Sequence, residues 1–171
     1  DEVRKKWFAR QIELGIIPPD TVLTERNDEV LAWDSLSKDE KRVCARMQEI
    51  FAGFLEHTDE QGGRLVDYLE SMNLIENTLF VVLSDNGASD EGGDFGNINI
   101  RKHYAFVEEP IEELIAKIDQ LGSEYAYNHY PKGWGFAGNT PLKWFKMDTF
   151  GGGIRDPLIM HWPKKDRKSV V

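Results

Sequence analysis

A length of 171 residues fits one ordinary domain, and a composition of 40 % hydrophobic and 30 % charged residues is typical of a globular protein. The formal net charge of −9 argues against nucleic acid as a partner, and no apolar run approaches the roughly 20 residues of a membrane-spanning helix. Cys44 is the single cysteine, which excludes an internal disulfide and a multi-cysteine zinc site.

The first stretch of the chain, "DEVRKKWFARQIEL", has apolar residues at roughly helical spacing. It predicts a helix over the first fourteen residues with Gly15 as its C-terminal cap. Pro18 and Pro19 exclude helix from the connector that follows.

A long helix is predicted from about Ser37 to Asn73. Ser37 and Glu40 have the spacing of a capping box, which marks a helix start. The adjacent Gly62 and Gly63 leave two alternatives open, a kink or two separate helices. The predicted apolar face consists of Val43, Met47, Ile50, Phe54, Leu65, Tyr68, Leu69 and Met72.

Two strands are predicted after this helix. Residues 78–83 form a short, β-branched apolar run, which is typical of a strand buried on both faces of a parallel sheet. Residues 156–162 form the second candidate strand. Since such sheets usually have about five or six strands, the sequence predicts an α/β fold whose sheet is incomplete within these residues.

Residues 110–121 predict a shorter helix, with Pro110 in its first turn and Gly122 after it. The stretch "GWGFAG", residues 133–138, matches the Gly-x-Gly-x-x-Gly pattern of dinucleotide-binding proteins. That pattern requires a strand before it and a helix after it, and both flanks here are loop-like. We therefore reject a dinucleotide site and expect a flexible, aromatic-rich loop beside a pocket.

Asp85 and Asn86 follow the first predicted strand directly. In open α/β sheets this is where ligands bind, and carboxylate and amide oxygens suit hard cations such as Ca²⁺ or Mg²⁺. Gly87 lets the backbone turn sharply. The alternative is a polar turn with no ligand, because Asp, Asn and Gly are common turn formers. Two ligands are also fewer than the six to eight oxygens that Ca²⁺ takes.

Residues 139–159 supply candidate anion-binding groups. Thr140 and Pro141 predict the start of a short helix that carries Lys143 and Lys146, and the three glycines at 151–153 predict an irregular turn. A lysine near a metal would bind an anionic group as a compact point charge. The alternative is that both lysines are ordinary surface residues.

Two motifs together resemble one family. "NTLFVVLSDNGA" at 77–88, followed by "NTPLKWFK" at 139–146 and "GGIRDP" at 152–157, resembles the sulfatases of the alkaline-phosphatase superfamily. The resemblance runs from about Asp34 to Lys164 and is greatest to bacterial arylsulfatases. It implies an alkaline-phosphatase-like sandwich, with helices on both faces of a mainly parallel central sheet.

The resemblance also implies roles for particular residues. Asp85 and Asn86 would be ligands of an active-site Ca²⁺, in preference to Mg²⁺, and the substrate would be a small-molecule sulfate ester. The sulfate-binding lysine of the family precedes the arginine of the glycine motif by nine residues. This spacing selects Lys146 over Lys143, with Arg155 as the arginine. Arg155 is expected to shape its loop and to pair internally.

The chain departs from the family pattern because it contains no Cys/Ser-x-Pro-x-Arg motif, from which the formylglycine nucleophile is made. Cys44 lies on the predicted long helix and is expected to be a core residue. Residues 1–171 are therefore interpreted as an internal segment of a sulfatase catalytic domain, with the nucleophile supplied by residues outside this chain. Its parts are 34–88 with the metal ligands, a variable insert at 89–138, and 139–164 with the lysine and the second strand.

Three expectations remain open at this point. The segment alone is expected neither to hydrolyse aryl sulfates nor to hold Ca²⁺ tightly. A phosphodiesterase or phosphatase of the same superfamily is one alternative function, although no histidine stands beside Asp85 as such enzymes commonly require. A non-catalytic α/β binding domain is the other alternative.

Overall fold

The computed structural model describes residues 1–166 as a mixture of helices with one small sheet. The helices are α1 (Glu2–Glu13), α2 (Lys38–Ser71), α3 (Ile100–Tyr104), α4 (Ile111–Ala116), α5 (Lys132–Gly138) and α6 (Gly151–Ile154). The strands are β1 (Phe80–Leu83) and β2 (Leu158–His161), and short 3₁₀ turns lie at Trp33–Ser35, Ile75–Asn77 and Ile118–Gln120. None of the helices in this part of the chain is both long and apolar enough to cross a membrane.

Both N-terminal helices confirm their predictions. Gly15 follows α1 with a φ of 70°. At the start of α2 the Ser37 hydroxyl accepts the Glu40 N–H at 3.2 Å, and the Glu40 carboxylate accepts the Ser37 N–H at 2.6 Å. This reciprocal pair satisfies two backbone donors that the first helical turn leaves free. The helix then continues through Gly62 and Gly63 as one element of 34 residues.

The main core lies between the first half of α2 and the segment around α4. Val43 and Met47 are fully buried there, against Ile98, Leu114, Ile118 and Leu121. The helix predicted over residues 110–121 is present as α4 followed by the 3₁₀ turn Ile118–Gln120, with Leu114, Ile118 and Leu121 facing this core. A second cluster joins Val30, Phe136 and Phe145.

The second half of α2 corrects the prediction of one continuous buried face. Phe54 is 64 % exposed, and Leu65, Tyr68 and Met72 are exposed as well. The apolar spacing does predict the helix, but within residues 1–166 these side chains meet no covering element.

The sheet also differs from its prediction. β1 and β2 pair antiparallel, with Phe80 opposite His161 and Leu83 opposite Leu158. Val81, Val82 and the side chains of β2 are exposed. The two strands form where they were expected, but the described residues show neither a parallel sheet nor burial on both faces. An apolar run indicates the need for burial, not the direction of the neighbouring strand.

Three local predictions in the C-terminal third are wrong. Residues 132–138 form helix α5 instead of a flexible loop, residues 139–150 form turns instead of a helix, and the glycines at 151–153 begin the single turn α6. The Trp134 indole N–H donates to the Cys44 carbonyl at 2.9 Å, and Phe136 is buried. Tertiary contacts therefore outweigh the low helix propensity of glycine in α5. The glycines lie inside the helix, consistent with rejecting a dinucleotide loop.

Candidate active site

The Asp-Asn loop, residues 84–88, leaves the end of β1. The Asp85 side chain is exposed and makes no hydrogen bond or ion pair within residues 1–166. The Asn86 amide nitrogen donates to the Gly87 carbonyl at 2.9 Å, and the Ser84 hydroxyl donates to the Asn86 carbonyl at 2.7 Å. The loop therefore presents a free carboxylate beside an amide whose oxygen has no partner among these residues.

These two donors fit a hard cation in kind but not in number. Carboxylate and amide oxygens are the ligands that Ca²⁺ and Mg²⁺ take, and no competing contact to these side-chain oxygens occurs among residues 1–166. The described part of the chain contains no group of three or more His, Cys, Asp or Glu side chains arranged to hold a metal. Asp85 and Asn86 would thus contribute two ligands to a larger shell.

Glycines bring the Asp-Asn loop against α6. The Gly87 N–H donates to the Gly153 carbonyl at 3.2 Å. A Cβ at Gly87 would lie 1.6 Å from the Gly152 oxygen, and one at Gly152 would lie 2.1 Å from the Trp144 oxygen. Both distances are far inside van der Waals contact, so the backbones approach this closely only where no side chain intervenes.

The other side of α6 contacts the lysine loop, residues 143–148. The Gly152 N–H donates to the Lys143 carbonyl at 2.7 Å, and the Lys146 N–H donates to the Ala88 carbonyl at 3.0 Å. Asn139 bridges the same two loops, since its side chain accepts the Ala88 N–H at 2.9 Å and donates to the Trp144 carbonyl at 2.9 Å. The structure therefore joins the two sequence motifs into one compact unit.

The lysine loop has an unusual backbone. Trp144 and Met147 have φ values of 67° and 74°, in the left-handed region that residues with side chains rarely adopt. Such conformations cost of order 1–3 kcal/mol each and persist only where surrounding contacts impose them. The bonds from Asn139 and to Ala88 are such contacts.

The two lysines of this loop differ in their surroundings. The Lys146 ammonium lies 3.2 Å from a Glu91 carboxylate oxygen, and its side chain is 33 % exposed. Lys143 is exposed and makes no ion pair within residues 1–166. The choice of Lys146 for the sulfate contact stays a prediction, but the structure gives this lysine a fixed position.

Glu91 is a residue of this site that the sequence reasoning missed. Its side chain is 16 % exposed and accepts a hydrogen bond from the Ser89 hydroxyl at 2.9 Å. Burial alone would raise the Glu91 pKa, but hydrogen bonds from Ser89 and Lys146 outweigh it and hold the pKa below its usual value. Ser89, two residues earlier, is a local signal for an ordered turn. The pairing of Glu91 with Lys146 joins residues 55 positions apart, so no local pattern predicts it.

Arg155 does not pair as expected. Its side chain is exposed and makes no ion pair in the described part of the chain, and its N–H donates to the Gly151 carbonyl at 2.9 Å. The backbone of Arg155 closes α6, so the loop is shaped without the charge.

The family is shown by comparison with known proteins. The sulfatase family model matches residues 21–171. The chain therefore belongs to the sulfatase family, and membership implies an alkaline-phosphatase-like α/β fold.

Two relatives place the chain within longer proteins. It is 28 % identical to an uncharacterized sulfatase of Schizosaccharomyces pombe, with 100 % of this chain and 30 % of that protein aligned. It is 27 % identical to an arylsulfatase of Klebsiella aerogenes, with 99 % of this chain and 35 % of that protein aligned. The chain spans about a third of the length of these relatives.

Proposed function

We propose that the full-length protein hydrolyses a small-molecule sulfate ester to an alcohol and sulfate, as an arylsulfatase. Family membership supports this reaction class, and the relative from Klebsiella aerogenes is named an arylsulfatase. The observation that carries the proposal is the apposition of the Asp-Asn loop and the lysine loop, through the bond from Lys146 to Ala88 and the glycine contacts of α6. This apposition supports the proposal because it joins the loop that carries Asp85 and Asn86 to the loop that carries Lys146.

In this proposal Asp85 and Asn86 hold Ca²⁺ with further ligands from outside this chain. Ca²⁺ is preferred to Mg²⁺, which demands near-ideal octahedral geometry and releases its water reluctantly. When bound, the ion supplies positive charge beside the sulfuryl oxygens. Lys146 supplies a second positive charge, held in place before the substrate arrives.

The nucleophile, a formylglycine, would come from polypeptide outside residues 1–171. Cys44 does not suit the role, because Arg46 and Gln48 stand where the Cys-x-Pro-x-Arg motif requires Pro and Arg, and because Cys44 is 3 % exposed in the core. The same outside polypeptide would supply the remaining strands of a mainly parallel central sheet. These strands would cover the exposed faces of β1, β2 and the second half of α2.

The test compares full-length wild-type protein with Asp85→Ala, using a chromogenic aryl sulfate and the matching aryl phosphate. The wild type should turn over the sulfate ester and retain calcium through dialysis, and its melting temperature should rise with added Ca²⁺. Asp85→Ala should lose all three properties. Asp119→Ala, which removes an exposed acid in the insert, should keep them.

The other outcomes identify the alternatives. Asp85→Ala with wild-type turnover and calcium content would refute the metal assignment. A wild type that prefers the phosphate ester would indicate the phosphatase alternative. A wild type that hydrolyses neither ester and gains no stability from Ca²⁺ would indicate a non-catalytic domain.

A further inference from the structure

We propose that Glu91 is a positioning residue for Lys146, holding the ammonium in one orientation so that its free N–H groups meet the sulfuryl group. This inference rests on the proposed function and adds a residue to the same site. Glu91 itself is not expected to touch the substrate.

The Glu91 carboxylate is itself held in place. The Ser89 hydroxyl donates to the carboxylate at 2.9 Å and accepts the Glu91 N–H at 3.1 Å. The Ser89 N–H in turn donates to the Tyr130 hydroxyl at 3.2 Å. Because these contacts fix the segment from both sides, the acid offers the lysine a stationary acceptor.

Lys146 is fixed at both ends by the segment of residues 88–91. Its backbone N–H bonds to the Ala88 carbonyl, and its ammonium bonds to Glu91 at 3.2 Å. An ammonium has three donors, so one contact leaves two for another acceptor. The side chain is 33 % exposed, which leaves those donors accessible.

The pairing of Glu91 with Lys146 has an electrostatic cost, and this cost favours a positioning role for Glu91. A carboxylate beside the lysine reduces the net positive charge that faces an anionic substrate, which by itself weakens binding. A lysine side chain is flexible, however, and a charge that is oriented in advance needs no ordering when the transition state forms. The benefit of orienting the Lys146 ammonium must exceed the loss of net positive charge. Because this benefit acts on the transition state, Glu91 should affect kcat more than KM.

A double-mutant cycle on the full-length protein tests the proposal. The four proteins are the wild type, Glu91→Gln, Lys146→Ala and the double variant, assayed for kcat and KM with an aryl sulfate. Glu91→Gln keeps the shape and an acceptor but removes the charge. We expect kcat/KM to fall about tenfold in Glu91→Gln, mainly through kcat, and about 100-fold or more in Lys146→Ala. In the Lys146→Ala background, Glu91→Gln should cause no further loss.

The matched control is Glu113→Gln. Glu113 accepts the Lys102 and Lys117 ammoniums at 3.0 and 2.7 Å, so this variant also removes a lysine-paired charge, but in the insert. Its kcat/KM should equal that of the wild type. If Glu91→Gln melts below the assay temperature, Ser89→Ala replaces it, since it loosens the carboxylate without removing it.

The outcomes separate the two proposals. Wild-type kcat/KM in Glu91→Gln, or an equal loss in both backgrounds, would overturn the positioning role. Wild-type kcat/KM in Lys146→Ala alone would instead overturn the lysine assignment of the proposed function. A loss in Glu91→Gln that disappears without Lys146 supports both.

Discussion

Gly87→Ala should damage the site through a single added methyl group. The Cβ would lie 1.6 Å from the Gly152 oxygen and 2.7 Å from the Gly152 carbonyl carbon. Gly87 does not have a positive φ, so its own backbone conformation would accept alanine. The expected damage therefore comes entirely from the clash of the added Cβ with Gly152. A backbone oxygen cannot rotate away as a flexible side chain does, so the Asp-Asn loop and α6 must part by roughly 2 Å.

This separation sets the expected magnitude. Overpacking of a close contact costs typically about 1–3 kcal/mol, and we expect about 3 kcal/mol here because both partners are backbone. A misplacement of about 1 Å lowers activity by about 100-fold in enzyme sites generally. The loss in kcat/KM should therefore be at least about 100-fold in the full-length protein.

The assay pairs denaturant unfolding with aryl sulfate turnover, and Gly63→Ala is the control. Gly63 lies on α2, and nothing beyond its own stretch of helix lies within 4 Å of its added Cβ, so the change should leave activity intact and stabilise the helix by about 0.5–1 kcal/mol. Wild-type turnover and stability in Gly87→Ala would refute the view that this contact sets the site.

Four further predictions concern the two lysines, Cys44 and the isolated segment. Lys146→Ala should reduce kcat/KM far more than Lys143→Ala, measured with the aryl sulfate; a larger loss at Lys143 would reverse the choice between them. Cys44 should resist a chromogenic thiol reagent at pH 8 until the protein is denatured, because burial raises its pKa from 9.0 to about 12; native-state reaction at the denatured rate would contradict its burial. Since the folded state favours the neutral thiol, its contribution to stability should be fully present below pH 9 and be lost as the pH rises towards 12. Purified residues 1–171 alone should hydrolyse no aryl sulfate, and added Ca²⁺ should not raise their melting temperature. Turnover of the aryl sulfate by this segment would refute that expectation.

The parts of the fold that were predictable have local causes. The start of α2 follows from hydrogen bonds between Ser37 and Glu40, three residues apart. The short apolar run after Asn77 likewise fixes the position of β1. Neither signal identifies a distant partner, which explains why the antiparallel pairing of β1 with β2 was not predicted.

The residues of the candidate site also divide into those with a local sequence signal and those that depend on distant contacts. The predictions for Asp85 and Asn86 come from a motif directly after a strand, and the prediction for Lys146 comes from the family spacing to Arg155. Glu91 could not be proposed in this way, since its interaction with Lys146 depends on how the two loops meet. Helix α5 was missed for a related reason, because the contacts that stabilise it come from the Cys44 carbonyl and the buried surroundings of Phe136.

The bonds at Ala88 and Gly87 have a consequence for the insert of residues 89–138. They join Ala88 to Asn139 and to Lys146, so the two ends of the insert are held together by contacts that do not involve its outer part. Lengthening a closed excursion costs little, since the entropy of closure grows only with the logarithm of its length. Protein engineers would therefore find the exposed residues 103–107 the most forgiving place to graft foreign sequence, since Leu114, Ile118 and Leu121 further along the insert belong to the main core.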